Sequence, residues 1–133
     1  MKTTNTILSD IYTIINASPI QALNGGIYKK IRPTDSQLED CVISLISGTD
    51  SKFIQDGGLY IKIFYKDLFQ ANTYMEDALN GSAKELLLWN LSETLLNTEG
   101  YNFYPETREL YTEVVPEIHQ HFAILKINFK ILY

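Results

Sequence analysis

The residues able to do chemistry are few and scattered. His119 and His121 are the only histidines. On a strand, residues two apart share a face, so both imidazoles could reach one metal ion. A zinc or iron site needs further ligands, and Glu117 is the sole local candidate. Hydrogen-bonded histidines at a strand entrance are the simpler expectation. Glu39-Asp40 and Glu76-Asp77 are adjacent carboxylates. Acid–base catalysis needs carboxylates facing across a cleft with separated pKa values, which adjacency does not provide. Asp40 is expected to orient a loop, and Glu76-Asp77 suits the acidic first turn of a helix. Cys41, the lone cysteine, permits no intrachain disulfide. Beside Val42 and Ile43 it reads as a buried thiol, with no neighbouring base to make it a nucleophile.

Asn24-Gly25-Gly26 and Asp56-Gly57-Gly58 each precede an apparent strand. A phosphate cradle needs a helix after the loop, so both pairs are expected to be turns. No nucleophile elbow, Walker motif, zinc ribbon or cofactor fingerprint appears. The expectation is a chain that is not an enzyme, with no catalytic residue, cofactor or metal. Tyr101, Phe103 and Tyr104 suit core packing. Phe53 and Ile54 fall in the middle of a polar stretch, where hydrophobes suggest an interface ordered on assembly.

The chain has 133 residues, 45% hydrophobic and 20% charged, which bounds it to one globular domain with an ordinary core. Net charge is −5. Residues 1–67 hold seven basic and seven acidic side chains; residues 68–133 hold four and nine, so the second half carries the whole excess. Between Glu85 and Glu117 seven glutamates face a single Arg108. That is a solvated acidic face, or a surface past which DNA travels without sticking. No run approaches the ~18 apolar residues of a membrane span, and the N-terminus has no secretory pattern. A cytoplasm, or a particle assembled there, is the expected location.

The elements follow from periodicity. Residues 7–15 repeat apolar side chains at helical spacing, with Thr4 or Asn5 as cap. Ser18-Pro19 opens a short turn. Residues 27–32 and 40–47 read as strands, the second buried on both faces. Residues 48–58 read as a long polar loop. Residues 59–66 alternate cleanly as a half-buried strand. Residues 67–79 are ambiguous. Ser82 and Glu85 form a capping box for a helix over 83–97, which Met75–Leu79 could extend backwards and Gly100 would end. Strands follow over 107–115 and 122–132. Segregated helices with mainly antiparallel strands predict an α+β two-layer sandwich, its mixed sheet carrying helices on one face.

The stretch SPIQALNGGIYKKIRPTDSQLEDCVIS, residues 18–44, set between the opening helix and the later strand–helix–strand pattern, resembles the tail-terminator or tail-completion proteins of long-tailed phages and prophages. The resemblance covers most of the chain, as a single domain over 1–133. It implies a minor structural protein of the virion that assembles as a ring, commonly six-fold, at the head-proximal end of the tail tube. The ring stops tube polymerisation, meets the tail-tube and head-connector proteins, and lets DNA pass without specific binding or a membrane. On that basis Phe53, Ile54, Leu68, Phe69 and Tyr74 are expected at the subunit contact, and Glu106, Glu109, Glu113 and Glu117 at the lumen. A small cytoplasmic adaptor or regulatory protein-binding module is the alternative.

Overall fold

The computed structural model describes residues 2–50 and 54–132. Helix α1 (Thr4–Asn16) starts where the Thr3 side chain accepts the Thr6 N–H, one residue before the expected cap. Its Ile7, Leu8, Ile11 and Ile15 are buried. Ser18 caps the 3-10 turn Pro19–Ala22 by accepting the Ile20 N–H. Strand β1 is only Ile27–Lys29, because Lys30 takes a left-handed φ of 74° and turns the chain away. Strand β2 (Cys41–Asp50) runs parallel to β1 and antiparallel to β3 (Ile54–Lys66). A short hairpin, β4 (Leu68–Gln70) and β5 (Thr73–Met75), leads to helix α2 (Ala78–Leu95). Strand β6 (Asn102–Val115) and strand β7 (Gln120–Leu132) complete a mixed sheet of order β1-β2-β3-β7-β6. The fold is α+β, as the patterning predicts.

The core lies between this sheet and the helices. From α1 it takes the four residues above, and from α2 Leu88, Leu91 and Leu95. From the sheet it takes Ile43, Leu59, Ile61, Ile63, Leu125 and Ile127. Tyr101 and Phe103 join it through ring contacts with Phe129. Cys41 sits in the same layer, and burial pushes its thiol up to about 12.

Several local expectations are corrected. Residues 48–50 and 54–58 are strand, not loop, so β2 and β3 form a long hairpin. Gly57 belongs to β3 because the Phe129 ring lies over it: a Cβ there would stand 2.6 Å from Phe129 Cζ. Phe53 and the Ile54 side chain lie outside the described residues. Strand β2 is buried on both faces only at its start, since Ile46 is exposed. Helix α2 is capped by Asp77, which accepts the Asn80 N–H, and Ser82 is one turn inside it. Gly100 (φ 85°) turns the chain into β6 beyond the helix end at Leu95.

Candidate interaction surface

Among the described residues, Ile31, Leu38, Ile46 and Val114 are exposed singly or in loops, and two elements each expose several large apolar side chains. The first is the β4–β5 hairpin, where Leu68, Phe69, Tyr74 and Met75 are all exposed. Gln70 pairs with Thr73, leaving a two-residue loop. Ala71 and Asn72 there have φ of 51° and 61°, the signature of a type I′ turn that matches strand twist. Phe69 and Tyr74 pack ring to ring across the hairpin at 4.8 Å. Three of the five residues expected at a subunit contact, Leu68, Phe69 and Tyr74, are thus gathered on one preformed arm.

The second place is the outer side of α2. Gly81, Lys84, Leu88, Leu91 and Leu95 turn inward, while Leu79, Leu86 and Trp89 stay outside on a roughly common stripe. The Arg108 guanidinium covers Trp89, 4.1 Å from the ring centroid, and is held by Glu93 at 2.7 Å. The sequence reading did not find this stripe. Its signal was the run Leu86-Leu87-Leu88: three consecutive helical residues span about 200° of arc, so they cannot all face one core.

The hairpin is fastened at its base. The Asp67 N–H donates to the His119 carbonyl (3.0 Å). The Tyr74 ring stacks on His119 at 3.6 Å between centroids. His121 Nδ1 meets Asp67 Oδ1 at 2.5 Å, and its Nε2 stands 3.9 Å from Glu76 Oε1. The Tyr65 hydroxyl donates to Glu76 Oε2 (2.5 Å). Burial drives the Tyr65 phenol above its ordinary range, with the Glu76 carboxylate adding to the shift. Gly81 makes room for it, since a Cβ there would stand 2.6 Å from the Tyr65 oxygen.

The two histidines do not share a strand face. His119 adopts a left-handed conformation (φ 54°) at the end of the 3-10 turn Pro116–Ile118, before β7 begins. The carboxylates around His121 oppose its two ring edges and so do not converge on one point. Among the described residues no group of three or more His, Cys, Asp or Glu side chains could hold a metal ion. A cleft of about 350 Å³ beside the hairpin is lined by Asp35, Lys66, Asp67, Tyr74, Glu117 and His119.

A second polar network fixes the segment between β1 and β2. Asp40 is fully buried; it accepts the Gly26 N–H at 3.1 Å and the Ser36 hydroxyl at 2.5 Å. Arg32 Nε lies 3.5 Å from Asp40, while its Nη2 bonds Gln120 and the Ser36 carbonyl. Burial lowers the Arg32 pKa from its ordinary value, and Asp40 opposes that shift. Asp40 therefore orients a loop, as its place beside a strand suggests. The buried Lys84 ties α2 to the same segment through Glu39 (2.8 Å). A Cβ on Gly25 would overlap the Glu39 carbonyl and the Asp40 carboxylate, so this position demands glycine.

The four glutamates expected at a lumen lie on or next to the edge strand β6, and all are exposed. Glu109 and Glu113 share the face away from the helices, opposite Lys126 and Phe122. Glu106 falls where the β6–β7 register shifts, and Glu117 is in the 3-10 turn after β6. Charges along an exposed strand also discourage edge-to-edge pairing. Among the described residues no helix is long and apolar enough to cross a membrane. Compared with known proteins, the chain matches no family model and no curated protein.

Proposed function

We propose that this chain is a non-catalytic structural subunit of a phage or prophage tail. It caps the head-proximal end of the tail tube as a ring, stops tube growth and joins the tail to the head connector. The observation that supports this most is the hairpin: a two-residue type I′ arm presenting Leu68, Phe69, Tyr74 and Met75 to solvent. An apolar surface that a monomer leaves open calls for a partner. A closed head-to-tail ring needs two unlike patches on each subunit, and the α2 stripe of Leu79, Leu86 and Trp89 is a candidate for the second. Phe53 and Ile54 stay in the proposal on their sequence alone. The residue 18–44 resemblance supplies the tail context, in which Glu106, Glu109, Glu113 and Glu117 keep DNA from adhering as it passes.

The test is assembly. Light scattering over a concentration series, with and without magnesium and with added tail tubes, followed by negative-stain images, should yield closed rings with an open lumen. Replacing Phe69 and Tyr74 together by Ser should abolish rings without changing the circular dichroism spectrum. A chain that stays monomeric under every condition, tubes included, would sink the reading. The α2 stripe also suits the groove of a helix-binding partner, as an adaptor would need. Stoichiometric binding of one host protein by such a monomer would favour that second reading.

A further inference from the structure

We propose that His121 is a proton-operated latch on the contact hairpin. Protonated, it holds both feet of the arm; neutral, it releases one. This rests on the reading of the hairpin as a subunit contact and adds its regulation. Asp67 is the residue before β4 and Glu76 the residue after β5, so the two carboxylates stand at the two feet of the arm. Both address the same imidazole from opposite edges, Asp67 at Nδ1 (2.5 Å) and Glu76 at Nε2 (3.9 Å).

A neutral imidazole has one N–H and one lone pair. It can serve Asp67, but its other nitrogen then turns a lone pair toward Glu76. An imidazolium donates to Asp67 and attracts Glu76 as an ion pair across 3.9 Å, placing one positive charge between two negative ones. The two feet differ in how they are backed. Asp67 is 6% exposed, and its backbone N–H is also bonded to His119. Glu76 is 34% exposed and otherwise held by the Tyr65 hydroxyl. The Glu76 foot is therefore the one that yields when the ring loses its proton.

Other groups also face the ring or stand next to it. Tyr65 of β3 stacks along His121 at 6.0 Å. Val114, its register partner on β6, has no charge. Glu85 of α2 reaches Tyr65 with a further negative charge. Lys66 follows Tyr65 on β3 and so points to the other face of the sheet. The other histidine, His119, stacks under the Tyr74 ring of the arm.

Hydrogen-exchange protection factors, corrected for intrinsic exchange, would test this on the full chain between about pH 5.5 and 8.5, the range over which imidazoles change charge. Hairpin amides should lose roughly two- to fivefold in protection as the pH rises, the scale of one part-exposed ion pair. Amides of β3 and β7 should keep theirs, which also certifies the fold of each variant. H121Q should show the low protection at every pH. E76Q should remove most of the pH dependence, because no carboxylate then faces Nε2. A hairpin whose protection is flat with pH in the wild type, or whose pH response survives in H121Q, overturns the latch. Light scattering of the same samples separates the two ideas. Loosening without loss of rings would retire the hairpin as the contact and leave the latch standing.

Discussion

On the helix side of the sheet, Ile43, Leu59, Ile61, Ile63, Leu125 and Ile127 are at most 1% exposed, sealed by α1 and α2. On the other side no helix is packed among the described residues, yet Phe122 and Ile124 are 8% and 3% exposed. Long cations do the covering there. Arg32 lies 3.9 Å above Phe64, Lys62 4.6 Å above Phe122, and Lys126 is 5.0 Å from the Tyr60 ring and 5.2 Å from that of Tyr111. A sheet face can thus be closed by a second layer, which excludes water from aliphatic groups. It can also be closed by snorkelling side chains such as Lys62 and Lys126, which keep their charges wet while their stems hide the rings, whereas the Arg32 charge is itself buried against Asp40. The first arrangement carries stability. The second leaves a soluble face that costs little to alter.

That contrast can be broken most severely at the hinge between the two arrangements. Asp40→Ala would leave Arg32 buried without its counter-charge, and chemical denaturation should show a loss of about 3–5 kcal/mol. Leu125→Ala, on the helix side, should cost about 3 kcal/mol by the same measurement, from lost transfer energy and an unfilled cavity. Lys62→Ala on the open side should cost only about 0.5–1 kcal/mol, the worth of one cation–aromatic contact. A loss at Lys62 equal to that at Leu125 would refute the contrast. Cys41 probes the sealing of the helix side. With its thiol pushed up to about 12, it should resist a disulfide reagent at pH 8 in the native state and react at once in denaturant.

The smallest effect is expected where α1 meets the surface. Asp10 is held below its ordinary value of 3.8 by the Lys2 hydrogen bond first and that of Tyr101 second. A carboxylate with a depressed folded pKa lends stability that is present above about pH 4 and lost as the pH falls through its folded value. Asp10 is 37% exposed, so solvent screening should keep the effect to about 0.5 kcal/mol. Asp10→Asn should lower the melting temperature slightly at neutral pH and leave it unchanged in strong acid.

Much of the fold is local and therefore legible in the residues. The alternation of 59–66 and 122–132 dictates which side chains face the helices, and period-two geometry admits no other answer once one face is buried. The 3.6-residue period of α1, the proline after Ser18 and the apolar setting of Cys41 are of the same kind. What tertiary structure decided depends on residues distant in sequence. The hairpin of residues 68–75 escapes a sequence reading because its turn, Ala71-Asn72, has no glycine; the pairing of Gln70 with Thr73 closes a two-residue loop and so takes both into the left-handed region. Gly57 looks like a turn residue until Phe129, across the sheet, lies on it. The helix is capped at Asp77 and not at Ser82, and Gly81 is already inside it, where a Cβ would collide with the Tyr65 hydroxyl. His121 finds Asp67 across 54 positions of chain, an encounter that no spacing rule contains. Periodicity records which face of an element is apolar, but only packing settles what that face meets, and so which apolar residues are left over for a partner.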